Sequence, residues 1–262
     1  MVSSIEIDKE KVKADYIEKN LFDMQKDLLR QRRIRMFVMS VLLAALLVTV
    51  VYGTLENPLE YTLSNIGNFF DYRLFFIIWA IITGIAIQSS IVALFKLEEY
   101  VPKTKYWFVV LAVIFLILTA LIPALKELYP FWHLIHTVFA GLHALFLSLS
   151  FVPFVNFIAR ENPRLVIITR VWLIIIWAGG VLSLVLLGHS AIFELWFFIT
   201  LIIFLLYLSL VLFEEKIVKM SVSFLKDEPN LNYAIEKIFV DLEKKDKVKE
   251  NAKKRSIQIK QK

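Results

Sequence analysis

Four histidines, one glutamine inside an apolar run and a polar loop are the parts of this sequence whose types and spacing could do chemistry. His133, His136 and His143 share one apolar run, and His189 closes the next. At 100° per residue the first three fall within about 80° of one helix face. Ala140 and Ala144 share or border that face, and small residues let a neighbouring helix approach closely. Imidazoles facing lipid are costly, so the face should point into a bundle, where the rings pair with polar groups or line a cavity. Three uses are open to them: hydrogen bonding between helices, contact with a ligand or headgroup, and a metal or acid–base site. The spacing His133-Leu-Ile-His136 allows two rings to share a metal ion, but zinc needs at least three protein ligands. The third would be His189, from another run at the same depth. Gln88 lies in a run that also carries Thr83, Ser89 and Ser90. Ala80, Gly84 and Gln88 make a ladder of small and polar residues at steps of four, a packing face. Gln88 and His143 should lie at similar depth, where a hydrogen bond between them would contribute about 0.5–2 kcal/mol.

The elements that must position these groups are six apolar runs: Met36–Leu55, Leu74–Leu97, Tyr106–Leu125, Phe131–Phe157, Leu165–Leu187 and Leu195–Phe213. Each is close to the roughly 20 residues that cross about 30 Å of hydrocarbon. Of the 30 Lys and Arg, all but Arg73 and Lys126 fall on one side of this pattern. Short loops rich in Lys and Arg stay cytoplasmic. The expected fold is therefore all-α, a six-span bundle in the cell membrane with both ends in the cytoplasm. Its parts are a basic amphipathic segment, 1–35, a membrane domain, 36–213, and a basic tail, 214–262. A charged segment precedes the first run, so no cleavable signal peptide is expected.

Both ends carry apolar stripes. Ile17, Leu21, Met24 and Leu28 recur at helical spacing, and so do Leu231, Ile235, Ile238 and Leu242. Asn230 or Asn232 could cap the second. Each stripe should find a partner, a second copy or the bilayer, because a short isolated helix is marginal in water. Basic residues at these ends suit anionic headgroups. They alternate with acids, which argues against nucleic acid. There are no cysteines, which excludes disulfides, thiol nucleophiles and Cys-ligated metals. The Lys-, Ile- and Phe-rich, Gly-poor usage suggests an AT-rich bacterial genome. No Asp, Glu, Lys or Arg occupies the central turns of a run, which weakens an ion pump or proton-coupled transporter.

The connection Tyr52–Arg73 is long and broken by Gly53, Pro58 and Gly67. Ser64 and Asn65 can close a local turn, and Gly67 tolerates positive φ, so this turn should be ordered over the mouth of the bundle. The stretch Tyr61-Thr-Leu-Ser-Asn-Ile-Gly67, with Arg73-Leu-Phe-Phe76 opening the second run, resembles uncharacterised bacterial six-span families of the DUF type. Those broadly resemble the DRAM-like eukaryotic membrane proteins. The resemblance implies six spans and brings no activity. A fainter one is to the intramembrane ceramidase and progestin-receptor superfamily, where Ser, Asp and three His build a zinc hydrolase site. It implies Ser64, Asp71, His133, His136 and His189 in those roles. Its members have seven spans and a His-x-x-x-His pair in the last, where this chain has six runs and His-x-x-His in the fourth.

The leading expectation is a non-enzymatic membrane protein holding a lipid or small amphiphile in an outward-side polar cavity between the second, fourth and fifth spans. Ser64, Asn65, Arg73, Gln88, His133, His136, His143 and His189 are its candidate contacts, with no metal. The cytoplasmic helices would meet a partner or a second copy. The alternatives are an outward-facing zinc lipid hydrolase using His133, His136 and His189, and a small-molecule transporter.

Overall fold

The structure, a computed structural model, describes residues 2–103, 106–188, 190–226 and 232, with side chains from residue 15 onward apart from residue 224. Every regular element among the described residues is helical: α1 (Val2–Gly53), α2 (Leu63–Phe69), α3 (Arg73–Leu97), α4 (Trp107–Leu121), α5 (Pro130–Glu161), α6 (Leu165–Leu187) and α7 (Ala191–Leu225). The contacts divide the chain into two units, 31–213 and a second formed by 1–30 with 214–262.

Five of these helices are long and apolar enough to cross a membrane: those within α1, α3, α5, α6 and α7. Their surfaces fit that environment. Ile174, Val185 and Leu186 of α6 are 64%, 74% and 70% exposed, a large uncovered apolar face of the kind that soluble monomers avoid. The chain is thus an integral membrane protein with an all-α architecture.

The helix boundaries depart from the apolar runs in three places. First, α1 is uninterrupted from Val2 to Gly53, so the basic amphipathic segment and the first apolar run are one helix. No Gly or Pro occurs between Val2 and Tyr52 to break it. Its apolar stripe is the sheltered face: Ile17 is buried and Leu21, Met24 and Leu28 are half-buried, while Tyr16, Phe22 and Leu29 are exposed. The second stripe, from Leu231, lies outside the described residues apart from Asn232. Secondly, α7 begins at Ala191, which brings Glu194 into its first turn. Thirdly, α4 has only 15 residues, about 22 Å of rise. It stops at Leu121 because Ile122 precedes Pro123 and is extended, ψ 134°, as the proline ring demands.

The bundle core in the larger unit is closed by small residues at close crossings. Gly84 of α3 meets Leu116 of α4. Gly179 of α6 packs against the Trp196 indole of α7, which donates to the Ile175 carbonyl at 2.9 Å. Any side chain at Gly179 would displace that ring. A column of rings runs down the core. Tyr52 stacks on Phe76 and Trp79, Trp79 meets Phe198 edge-on, and Phe198 lies 6.0 Å from the His143 ring. Such pairs contribute about 0.5–1.5 kcal/mol each beyond their buried area.

Candidate functional site

The connection between α1 and α3 is built before it reaches the bundle. Asn57 closes a turn by accepting from the Leu59 amide at 3.1 Å. Thr62 then caps α2, its hydroxyl accepting from the Asn65 amide at 3.1 Å and sitting 3.0 Å from the Ser64 hydroxyl. Ser64 is buried and its carbonyl accepts from the Asn68 amide group at 2.7 Å. Ser64 and Asn65 therefore shape α2 through capping contacts, while Asp71 is exposed with φ 63°. The segment Ser64–Gly67 is helical rather than a positive-φ turn. Gly67 is required for a different reason: a Cβ there would lie 2.8 Å from the Phe76 Cβ and 3.0 Å from the Tyr52 hydroxyl.

Three contacts fasten this cap to the bundle. The Tyr52 hydroxyl donates to the Leu63 carbonyl at 2.7 Å. The Ala191 amide donates to the Tyr61 carbonyl at 2.7 Å. The Glu194 carboxylate accepts from the Leu63 amide at 2.6 Å. Glu194 is a carboxylate beside a long apolar stretch, but nothing in its sequence surroundings names Leu63 as its partner.

The histidine face points into the bundle, and its partner is α4. His133 Nδ1 lies 2.7 Å from the Ala124 carbonyl, His136 Nδ1 3.2 Å from the Ile122 carbonyl and His143 Nδ1 2.7 Å from the Ala112 carbonyl. Arg73 joins them, donating from Nη2 to the Leu121 carbonyl at 2.7 Å. The shortness of α4 explains the pattern. Where the helix unwinds, the carbonyls of Leu121, Ile122 and Ala124 have no helical donor. An unpaired backbone group in hydrocarbon costs several kcal/mol, and the guanidinium and two imidazoles supply the missing donors. Because a carbonyl only accepts, each Nδ1 carries the proton.

Deeper in the bundle the polar groups are not matched. Gln88 and His143 are buried at 4% and 5% exposure. The hydrogen bond expected between them does not form: both amide atoms of Gln88 and Nε2 of His143 are buried without a partner. Their common depth follows from helix register. Gly84 faces Leu116 across the α3–α4 contact. One turn along each of these antiparallel helices brings Gln88 opposite Ala112, and Ala112 is the residue whose carbonyl His143 holds.

Among the described residues no three His, Cys, Asp or Glu side chains gather as metal ligands. His189, the third ligand in the zinc reading, lies outside those residues.

A small apolar pocket lies between α5, α6 and α7. It is lined by Leu147, Ser148 and Phe151 of α5, Leu173 and Ile176 of α6, and Leu201 of α7, among others. Neither Gln88 nor His143 lines it; Leu147 and Leu201 lie one helical turn from His143 and Phe198.

Comparison with protein-family models, curated proteins and solved structures finds no match. Nothing in those comparisons bears on the resemblance to the six-span families.

Proposed function

We propose that this protein is a six-span membrane protein with both ends in the cytoplasm that holds a lipid or small amphiphile without transforming it. The observation that carries the binding reading is the pair of unpartnered buried groups, Gln88 and His143 Nε2, at one level of the bundle. A buried polar group without a partner costs about 1–3 kcal/mol, and a ligand's polar group entering at that level would remove the cost. Two observations support six spans. Basic residues lie almost wholly on one side of the apolar pattern. The short α4 also has its unwound end capped by Arg73, His133 and His136, which makes non-helical backbone tolerable at membrane depth. In this topology α2 and the 54–72 connection cover the outer end. The basic ends meet cytoplasmic headgroups or a protein partner.

Native mass spectrometry of the full chain after gentle extraction tests the binding reading, because it reports lipid, metal and copy number together. Retained lipid without stoichiometric metal is the expected result. Protein that carries zinc and no lipid would replace this reading with the hydrolase, and protein that emerges bare would remove it.

A further inference from the structure

Arg35 is held in place at one boundary of the bundle but left without an anion. It directly precedes the first apolar run, which opens at Met36, and Phe213 closes the last. Arg35 Cζ lies 4.3 Å from the centroid of the Phe213 ring, and that ring is buried. Two segments far apart in sequence thus meet where their apolar runs end, the depth at which headgroups lie.

The ring attracts one face of the guanidinium. The N–H donors lie in the guanidinium plane, so this contact engages none of them. Arg35 Nε is buried without a hydrogen-bond partner, and Arg35 makes no ion pair among the described residues. No Asp or Glu occurs in 28–53 of α1 or in 195–213 of α7. Of the acids that follow Phe213, Glu214 is exposed and Glu215 pairs with Lys219 at 2.7 Å. The neighbouring charges on α1 are also positive: Arg32 and Arg33 are both exposed. Arg32, three residues before Arg35, borders it on the helix surface.

A half-buried cation with no anion carries an uncompensated desolvation cost. The planar guanidinium fork suits phosphate, and at this depth the phosphates present are those of lipid headgroups. A zwitterionic headgroup brings an ammonium with its phosphate and leaves the local positive charge unchanged. An anionic headgroup reduces it.

We propose that Arg35, clamped on Phe213 and flanked by Arg32, is a headgroup site for an anionic phospholipid, bound through its phosphate. The site does not rest on ligand binding at Gln88 and His143. It differs from the general attraction of a basic end for anionic lipid, because it places the selectivity in one side chain.

The test measures binding of dioleoylphosphatidylglycerol and dioleoylphosphatidylcholine to the purified full chain in detergent micelles by native mass spectrometry. The unaltered protein is compared with Arg35→Gln, Arg33→Gln and Phe213→Leu. The unaltered protein should prefer phosphatidylglycerol about 10-fold, on the order of what a hydrogen bond to a charged group provides. Arg35→Gln should bring the preference close to unity. Arg33→Gln removes the same charge from another side of the helix and should keep most of the preference. Phe213→Leu leaves every charge in place and should fall between those two. Inorganic phosphate alone should not raise the melting temperature. Equal losses in Arg35→Gln and Arg33→Gln would overturn the site in favour of diffuse attraction, and so would an unaltered protein with no preference. An unchanged preference in Phe213→Leu would overturn the clamp, and this variant decides the matter if Arg35→Gln does not fold. Phosphate that stabilises the unaltered protein but not Arg35→Gln would assign the site to a soluble anion instead.

Discussion

Two levels of the same bundle treat their polar groups in opposite ways. At the α2 end, Arg73, His133 and His136 each hold a carbonyl of the unwound end of α4, and Glu194 and Tyr52 hold the two backbone groups of Leu63. Two helical turns in from His136, Gln88 and His143 Nε2 are buried with nothing to hold. The first level consists of donors and acceptors spent on backbone that a short helix and a long loop leave exposed. A polar residue there is explained by the fold alone. At the second level the fold supplies no partner, and the unmatched groups are what a ligand would have to satisfy. Polarity inside a membrane bundle is thus a poor guide to function until each group's partner is known.

The comparison depends first on which end is outside. A cysteine introduced at Asn57 should react with an impermeant reagent on intact cells, and one introduced at Lys254 should not. This is an all-or-none outcome, and the reverse pattern would invert the topology proposed here. Next in size is the packing of the cap. Gly67→Val should lower stability by about 3 kcal/mol, because the new carbons overlap Phe76 and the Tyr52 hydroxyl and the core has little freedom to yield. Asn57→Ala, at an exposed turn, should cost no more than about 0.5–1 kcal/mol. Equal melting temperatures for these two variants would contradict the packing of α2.

Glu194→Ala should cost about 1–2 kcal/mol, because it leaves the buried Leu63 amide without its acceptor. Its more telling effect is local: amide exchange in 54–72 should accelerate, while exchange in the middle of α3 should not. Uniform acceleration across both would mean that Glu194 supports the bundle rather than its cap. The smallest and sharpest test sets the two levels side by side. His136→Ala should lower the melting temperature by leaving the Ile122 carbonyl unpaired, at about 1–2 kcal/mol. Gln88→Met should raise it, by about 1 kcal/mol, in protein stripped of lipid, because it removes an unpaired amide from the interior. If both variants lower the melting temperature, Gln88 has a structural partner and the contrast between the levels fails.

The sequence by itself determined the elements. Apolar runs of sufficient length give helices in a membrane because only helices and closed barrels pair their own backbone there, and the helical spacing of Ile17, Leu21, Met24 and Leu28 identified a sheltered face that α1 indeed shelters. The inward direction of His133, His136 and His143 was likewise legible, since their arc on one helix needs no tertiary information. What the rings touch was not. That depended on Pro123 ending α4 early and on the antiparallel register that sets Ala112 beside His143 and opposite Gln88. Gly67 shows the same division: its position in a cap over the bundle could be read locally, but its reason is the Phe76 side chain nine residues on, brought against it by the turn between α2 and α3. Periodicity and composition act within one segment and are written in it. Hydrogen-bond partners and close approaches join segments, and only the packed bundle decided that Glu194 meets Leu63 while Gln88 meets nothing.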